Sequence, residues 1–230
     1  MRTLVIGDIH GCLVALDGVL NAVQLQRDDV LITLGDYVDR GSDSKGVIDR
    51  LMEIARRQQL IPLLGNHEEM MLDARDDLQA YQYWRLVGGD KTVNSYVGAS
   101  SPMDMSWVPR IPESHWSFMT DYCRDWYEAA DHLFVHGNVD ADRPMTAQDV
   151  NVLRWRKFKD VQPHESGKVM VCGHTAQKSG RPANLGHAIC IDTHVYGGGW
   201  LTCLHVESGR YWQANQRGEM QTGHIKDCAE

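Results

Sequence analysis

The first 65 residues alternate short apolar runs with longer segments whose apolar residues recur at helical spacing. The apolar runs cover residues 3–6, 30–34 and 60–64, and the helical spacing covers residues 13–23 and 45–58. This order predicts a β-α-β-α-β unit, in which parallel strands form a sheet covered by helices. The carboxyl ends of neighbouring strands then meet at one edge of the sheet, which is where such sheets bind ligands.

The second half of the chain is richer in predicted strands. Strand-like apolar runs recur at residues 126–130, 133–135, 168–172, 188–191, 200–206 and 211–214. We expect the last three to be antiparallel, residues 68–86 to form one or two helices, and the Pro-rich residues 97–112 to form a loop-like cap or rim. The fold class is therefore α/β (α+β). We predict one domain over residues 1–216 and a polar C-terminal tail at 217–230, frayed at its end.

Composition excludes some classes of function. The 230 residues carry a net charge of −8 with no block of like charges, which argues against a dedicated nucleic-acid binder. Apolar runs of membrane-spanning length and a signal peptide are not evident, so we expect no membrane partner and a cytoplasmic location. The six cysteines form no CxxC pair, and Cys172, Cys190 and Cys203 are predicted to be buried thiols.

Polar residues flanked by glycine follow the predicted strands in five places. These motifs are GDIHG at 7–11, GDYVDRG at 35–41, GNHE at 65–68, HG at 136–137 and GHT at 173–175. Gly, Asp and Asn are also ordinary turn residues, but five motifs in the same strand context favour one metal centre built from distant segments. Carboxylate and amide oxygens and imidazole nitrogens suit divalent transition metals. The candidate ligands are Asp8, His10, Asp36, Asn66, His136 and His174.

Six ligands are too many for one catalytic ion that keeps an open position. They suit two ions about 3.5–4 Å apart that share a bridging solvent molecule, whose pKa the ions lower so that hydroxide is available near neutral pH. If the chain stays extended between Asp8 and His10, both side chains can face the same ion. Asp36 follows the neighbouring strand and is the candidate bridge between the ions.

The remaining residues of these motifs are those that phosphate ester hydrolysis needs. His67 can protonate a leaving alkoxide, and Asp39 can hold its imidazole and favour the protonated form. Arg40 can clamp phosphate oxygens, because guanidinium matches their geometry. A second clamp is expected within residues 153–156, where Arg156 is favoured over Arg154, although both could be ordinary surface charges.

In this order the motifs resemble those of the phosphoprotein phosphatase family of metallophosphoesterases, and particularly the short bacterial and bacteriophage-lambda-type serine/threonine phosphatases. The stretches WRLVGGDKTVNSY at 84–96, IDT at 191–193 and GGG at 197–199 also resemble that subgroup. The resemblance covers residues 3–207. It implies the calcineurin-like fold, a central β-sandwich flanked by helices, with a dinuclear centre. The metal is commonly Mn²⁺ in prepared enzyme, with Fe, Zn, Ni or Co as alternatives.

The resemblance also implies roles for individual residues. It assigns Asp8, His10 and Asp36 to one ion, and Asp36, Asn66, His136 and His174 to the other. It supports Asp39–His67 as the acid pair, and places Arg40, Arg156, Asn66 and His67 at the phosphate.

One position departs from the subgroup. His194 follows IDT where the subgroup usually has glycine, and it could contact substrate or a metal-bound water, or merely line the rim. Tyr196 could lean over the site or pack in the core.

The leading functional prediction is a metal-dependent phosphomonoesterase. It hydrolyses phosphoserine and phosphothreonine in proteins by direct attack of the bridging hydroxide, with His67 as the general acid. The alternatives on the same centre are symmetrical cleavage of dinucleoside polyphosphates such as diadenosine tetraphosphate, and a phosphodiesterase or nucleotide phosphatase. A non-catalytic scaffold is disfavoured because His67 and all the ligands are present. The short chain lacks an obvious long insertion for gripping a dinucleotide, which favours the protein phosphatase.

Overall fold

Two β-sheets pack face to face in the computed structural model, which describes residues 1–98 and 101–229. The strands in chain order are β1 (Thr3–Ile6), β2 (Val30–Thr33), β3 (Gln59–Pro62), β4 (Trp126–Glu128), β5 (His132–Val135), β6 (Val169–Cys172), β7 (Ala183–Asn184), β8 (Ala188–Cys190), β9 (Leu201–His205), β10 (Arg210–Ala214) and β11 (Met220–His224). The first sheet has the order β11-β10-β9-β1-β2-β3, and the second has the order β4-β5-β6-β8-β7. This mixed α/β architecture agrees with the predicted sandwich.

Helices cover the outer faces of the sandwich. They are α1 (Leu13–Val23), α2 (Ser44–Ala55), α3 (Asn66–Asp73), α4 (Leu78–Trp84), α5 (Asp90–Val97), α6 (Glu113–Ser117) and α7 (Val150–Trp155). Helix α1 buries one stripe at helical spacing, and α2 begins at the N-cap Asp43, whose side chain accepts from the Gly46 N–H. None of the helices in the described ranges combines the length and the apolar composition needed to cross a bilayer.

The central strands of the first sheet are buried on both faces, as their continuous apolar character requires. Alternate residues of β1 face opposite ways: Val5 packs between the sheets against Phe134 and Val171, whereas Leu4 and Ile6 belong to the core beneath the helices. Strands β1, β2 and β3 run parallel and in register, so their carboxyl ends lie side by side. This edge is where the predicted ligands follow the strands.

Several expectations about the second half need correction. We expected β8 to be antiparallel, but it pairs parallel with β6 and antiparallel only with β7. Part of the predicted loop at residues 97–112 forms a 3₁₀ helix, Met105–Arg110, which buries Trp107 completely; residues 99–100 of that segment lie outside the described residues. The segment predicted as a frayed tail instead contains β11, which pairs with β10.

Candidate metal centre

The loops that follow five strands meet at one edge of the sandwich. The loops after β1, β2 and β3 in the first sheet carry Asp8, His10, Asp36 and Asn66, and those after β5 and β6 in the second sheet carry His136 and His174. All but His174 are buried. The structure thus brings together all six candidate ligands from both sheets.

The backbone turns sharply at these residues. His10, Asp36 and His174 have φ values of 46°, 51° and 62°, in the left-handed region that non-glycine residues rarely adopt. The condition that the chain stays extended between Asp8 and His10 is therefore not met at His10. The N–H groups of Ile9 and His10 both donate to the carbonyl of Asp36, at 3.0 and 2.7 Å, and this turns the chain toward Asp36.

Two glycines allow the loops to approach the carboxylates closely. A Cβ on Gly65 would overlap Asp36 Oδ1, and a Cβ on Gly173 would overlap Asp8 Oδ1. The carboxylate of Asp8 accepts the N–H of His174, at 2.9 Å to Oδ2. The glycines in these motifs are thus needed for the approach of backbone to side chain.

Three imidazoles have the same hydrogen-bonding arrangement. His10 Nδ1 lies 2.9 Å from the carbonyl of Val38, His136 Nδ1 lies 2.8 Å from that of Leu34, and His174 Nε2 lies 3.0 Å from that of Trp155. A carbonyl can only accept, so each of these nitrogens carries the hydrogen and donates. The other nitrogen of each neutral ring then has a lone pair to offer to an ion, as in metal-ligating histidines; in this structure that of His10 accepts from Arg40 Nη1.

These lone pairs face oxygen atoms that are also acceptors. His10 Nε2 is 3.4 Å from Asp36 Oδ2, and His136 Nε2 is 3.3 Å from Asp36 Oδ1. His136 Nε2 and His174 Nδ1 each lie 3.0 Å from Asn66 Oδ1. Burial lowers the pKa of both His10 and His136, which keeps these rings neutral. Acceptors that converge in this way fit a cation between them.

The electrostatics of the carboxylates fit the same conclusion. Burial raises the pKa of Asp8 well above its ordinary value, and the charges of Asp192 and Asp36 raise it further. Burial likewise raises the pKa of Asp192, to about 6. A group of buried carboxylates whose ionisation is unfavourable is compensated when a divalent cation binds beside it.

The donor atoms fall into two groups that share one residue. Donor atoms of Asp36, His136 and His174 lie within 4.8 Å of one another, and so do those of Asp36, His10 and His67. Asp36 belongs to both groups, which is the position that a ligand common to two ions needs. Asp8 belongs to neither group, and its place in the first coordination set stays a prediction.

His67 and Asp39 form a close buried pair. His67 Nδ1 lies 2.6 Å from Asp39 Oδ2, and His67 Nε2 lies 3.9 Å from Asp36 Oδ2. Burial would lower the pKa of His67, but the carboxylates of Asp36 and Asp39 raise it above its ordinary value. The arrangement therefore favours an imidazole that carries a proton on the side facing the ligands.

Arg40 reaches the same centre. Its Nη1 donates to His10 Nε2 at 3.0 Å, and its guanidinium lies 4.4 Å from the centroid of the Tyr196 ring. Tyr196 also packs edge-to-face on His10 and on His194, with centroid distances of 4.9 and 4.6 Å. Tyr196 therefore lies over the site and also packs against the hydrophobic core, so the two alternatives do not exclude each other. His194 lies behind Tyr196, and its buried Nδ1 has no hydrogen-bond partner among the described residues.

The two candidates for the second phosphate clamp are paired with carboxylates. Arg156 Nη1 lies 2.6 Å from Asp140 Oδ1, and Arg154 lies 3.2 Å from Glu69 Oε1 and 2.5 Å from Asp125 Oδ1. Both guanidinium groups are thus engaged with carboxylates that are not candidate ligands, and the role of Arg156 stays a prediction.

Sequence reasoning missed three residues that support the site. The buried carboxylate of Glu68 accepts four backbone N–H groups, those of Asp36, Tyr37, Val38 and Gly65, at 2.7–3.1 Å. Its place in the GNHE motif, at the third position of α3, is the signal that could have indicated it. Trp84 and Thr92 contact Asp39. The signal that could have indicated them is the stretch at 84–96, which resembles the phosphatase subgroup, but it does not indicate their partner, which is 45 or more residues away.

Comparison with known proteins agrees with this geometry. Residues 1–197 match the calcineurin-like phosphoesterase family. The chain is 40% identical over 87 residues to serine/threonine-protein phosphatase 1 of Salmonella typhimurium, which is 37% of this chain and 38% of that protein. It is 37% identical over 73 residues to a symmetrical bis(5'-nucleosyl)-tetraphosphatase of Pectobacterium carotovorum, which is 31% of this chain and 25% of that protein. The chain thus spans less than two fifths of the length of these curated relatives.

The similarity of fold extends over nearly the whole chain. A crystal structure of a proposed diadenosine tetraphosphatase superposes with a TM-score of 0.65 at 20% sequence identity, covering 97% of this chain and 93% of that one. At this identity the superposition establishes the fold alone. Together with the match over residues 1–197, it leads to one conclusion: the chain belongs to the calcineurin-like phosphoesterase family.

Proposed function

We propose that this chain is a metal-dependent phosphomonoesterase that removes phosphate from phosphoserine and phosphothreonine in proteins. The observation that carries the proposal is the Asp39–His67 pair, held 2.6 Å apart and buried beside the converging ligands. A proton donor at that place serves an ester whose leaving group is a poor one, as the serine and threonine alkoxides are.

The ligands around Asp36 would hold two divalent ions, through Asp8 and His10 on one side and Asn66, His136 and His174 on the other. When bound, such ions supply an activated water and offset the charge of the phosphoryl oxygens. The carboxylate, amide and imidazole donors suit Mn²⁺, and also Fe, Zn, Ni and Co.

The side chains around the ligands would bind the ester and move a proton. The Arg40 guanidinium has donors to offer to phosphate oxygens, and the Tyr196 ring keeps it beside the site. His67 would transfer its proton to the departing oxygen. Asp39 accepts from the other ring nitrogen, and so keeps the imidazole in place and stabilises its charged form.

A cleft of about 420 Å³ is connected to the site through Trp155, whose Nε1 donates to Glu69 in the cleft lining and whose carbonyl accepts from His174 Nε2. Leu64, which directly precedes the GNHE motif, lies in its wall. Its charged lining consists of three carboxylates and two guanidinium groups, from Glu69, Asp73, Asp125, Arg124 and Arg154. This excess of one carboxylate is less favourable for a polyphosphate chain than for an uncharged or basic peptide segment.

Symmetrical cleavage of a dinucleoside tetraphosphate is the second candidate. It is favoured by one relative, which is named a symmetrical bis(5'-nucleosyl)-tetraphosphatase, and by the superposed crystal structure, which is named a proposed diadenosine tetraphosphatase. The same residues could serve it, because the reaction also transfers a phosphoryl group to water. Its leaving group is a nucleoside diphosphate, which needs less help from a proton donor than an alkoxide does.

A substrate panel tests the proposal. We would load the full chain with Mn²⁺ and compare kcat/KM for a phosphoserine peptide, a phosphothreonine peptide, diadenosine tetraphosphate, a bis-aryl phosphodiester and an aryl monoester. We expect the phosphopeptides to be the best substrates, and turnover of every ester to stop on exhaustive chelation and return with Mn²⁺.

Two results would contradict it. A higher kcat/KM for diadenosine tetraphosphate than for both phosphopeptides would favour the second candidate. Full activity in protein verified to be free of metal would exclude both. His164→Asn serves as a control, because this buried histidine bonds to Ser166 and to the Arg143 carbonyl, away from the ligands.

A further inference from the structure

The segment from Trp84 to Thr92 donates hydrogen bonds to Asp39 of the Asp39–His67 pair. The indole Nε1 of Trp84 donates to Asp39 Oδ2 at 2.7 Å, and the hydroxyl of Thr92 donates to Asp39 Oδ1 at 2.7 Å. The same hydroxyl accepts the backbone N–H of Asp39, also at 2.7 Å. Both Trp84 and Thr92 are completely buried, so these bonds are shielded from water.

The backbone of this segment is irregular where it meets the site. Residues Arg85–Gly89 form a kinked turn between α4 and α5, because Gly88 has a φ of 121°, outside the helical region. The Gly88 carbonyl accepts the N–H of Arg40 at 3.2 Å. Here the turn brings one segment onto both Asp39 and the predicted phosphate clamp.

Asp39 and Arg40 need such support. Their φ values are 73° and 68°, two consecutive non-glycine residues in the left-handed region. This conformation is strained and persists only when the surroundings fix it. The contacts from Trp84, Gly88 and Thr92 are made to these two residues, so the segment fixes the strained pair.

Resting on the function proposed above, we propose that Trp84 and Thr92 are positioning residues for the general acid. They hold the Asp39 carboxylate in the one orientation in which Oδ2 faces His67 Nδ1 at 2.6 Å. Each oxygen of Asp39 has its own donor from this segment, so the carboxylate cannot rotate away without losing a buried hydrogen bond. Without these donors, Asp39 remains present but His67 is less well oriented toward the leaving oxygen.

A purely structural role for Trp84 is the competing explanation, since it packs in a cluster with Tyr81, Trp107 and Trp116. Trp107 provides the comparison. It belongs to the same cluster and is as deeply buried, but its Nε1 has no hydrogen-bond partner among the described residues. The cluster thus accommodates an indole without such a bond, and Trp107→Phe is a matched control for packing.

Steady-state kinetics of the Mn²⁺-loaded full chain test the inference. We would compare Trp84→Phe, Thr92→Val, Thr92→Ser and Trp107→Phe on a phosphoserine peptide and on p-nitrophenyl phosphate, whose phenolate leaves without protonation. We expect Trp84→Phe and Thr92→Val to lower kcat for the peptide by about tenfold, the lower range for residues that orient a catalytic group. KM for the peptide and turnover of p-nitrophenyl phosphate should stay nearly unchanged.

Further variants separate positioning from packing. Thr92→Ser keeps the hydroxyl and should retain the peptide rate, and Trp107→Phe should affect both esters equally. In the Asp39→Asn background, Trp84→Phe should cause little further loss, because it acts through Asp39. Thr92→Val and Thr92→Ser nearly preserve side-chain size, so this pair decides the question even if Trp84→Phe does not fold.

Equal losses on the two esters, or a full additional loss in the Asp39→Asn background, would overturn the positioning role. A wild-type chain that turns over neither ester with Mn²⁺ would contradict the proposed function, and with it this inference. A wild-type chain that is active, with variants that lose both esters equally, would contradict the positioning role alone.

Discussion

The two ends of the sandwich are built differently. Among the described residues, eight non-glycine residues have a positive φ. Six of them lie at the end of the sandwich that carries the candidate ligands: His10, Asp36, Asp39, Arg40, His174 and His194. At the opposite end, the buried carboxylate of Asp29 is bonded to Arg2 through two pairs of atoms, at 3.0 Å from Nε and 2.5 Å from Nη2.

The two ends differ in whether a cationic side chain of the protein compensates the buried carboxylates. Asp29 has its cation within the chain, whereas Asp8 and Asp192 have raised pKa values because burial and neighbouring carboxylates oppose their ionisation. Strained backbone and uncompensated charge are tolerated where binding requires them, and they lower the stability of the metal-free protein. The end that carries Asp29 thus stabilises the fold, and the end that carries Asp8 and Asp192 has the buried carboxylates that a bound cation would compensate.

The largest expected effect tests whether Asp36 joins the two donor groups. Asp36→Asn should lower kcat by about 10³-fold or more, because metal ions contribute several kcal/mol to the transition state and each 1.36 kcal/mol is a tenfold change. Asp8→Asn should cost less, because Asp8 lies in neither donor group. Metal content per chain, measured by atomic emission, should fall most in Asp36→Asn. Two ions retained at unchanged affinity in that variant would refute the shared role.

The next effect tests the acid side of the same end. His67→Asn should lower the rate on a phosphoserine peptide by about 10²–10⁴-fold, the usual contribution of general acid catalysis, and should cost far less on an aryl phosphate. Asp39→Asn should show the same pattern more weakly, since it orients His67. Metal content should survive in both. Equal losses on the two esters with both ions bound would assign His67 to phosphate binding instead.

Glu68→Gln tests how far the loops depend on one buried carboxylate. The carboxylate of Glu68 accepts hydrogen bonds from four backbone N–H groups. The glutamine side chain has only one acceptor oxygen, so its NH₂ group would face some of these donors. We expect metal affinity to fall by about 10–100-fold, the range for residues that support ligands. Titration with Mn²⁺ measures this, with the half-exposed Glu53→Gln as the control. Unchanged affinity would show that the loops hold their shape without this carboxylate.

The smallest effects compare the two ends directly, by thermal unfolding of metal-free protein. Arg2→Ala should lower Tm by about 2–6 °C, because it leaves the buried Asp29 unpaired. Arg217→Ala should change little, because its pair with Glu219 is exposed.

Asp192→Asn should raise Tm at pH 8 by about 2–4 °C, the shift for roughly 1 kcal/mol in a chain of this size. The folded-state pKa of Asp192, about 6, lies above its unfolded value, so this group lowers stability as the pH rises from about 4 to about 6. The gain should therefore largely disappear near pH 4. A gain of equal size at both pH values would have another cause.

The sequence predicted the parallel strands of the first sheet well because their signals are local. Buried parallel strands are continuously apolar, and glycine with a polar residue marks where each one ends, so β1, β2, β3 and their loops could be placed. Whether β8 runs parallel or antiparallel to its neighbours could not be predicted, because side-chain periodicity does not show which strands pair with it. Strand β11 was missed because it lies at the edge of its sheet, and most of its residues are exposed and polar.

The site was predicted unevenly for a similar reason. Ligand identity follows from residue type, but the left-handed turn at His10 is imposed by two hydrogen bonds to the Asp36 carbonyl, 26 or more residues away. The bond from Trp84 to Asp39 likewise depends on the fold of a distant helix. These features arise from tertiary structure and leave no local pattern.

Because the candidate ligands come from both sheets, metal binding has a consequence for how fast the protein is degraded in the cell. An ion held by Asp36 from the first sheet and by His136 from the second joins the two layers, so the layers cannot separate at this edge while it stays bound. Ligands that bind only the folded state shift the unfolding equilibrium in proportion to their concentration. Scarcity of metal would then shorten the lifetime of this protein, because the opened sandwich exposes chain that proteases can cut.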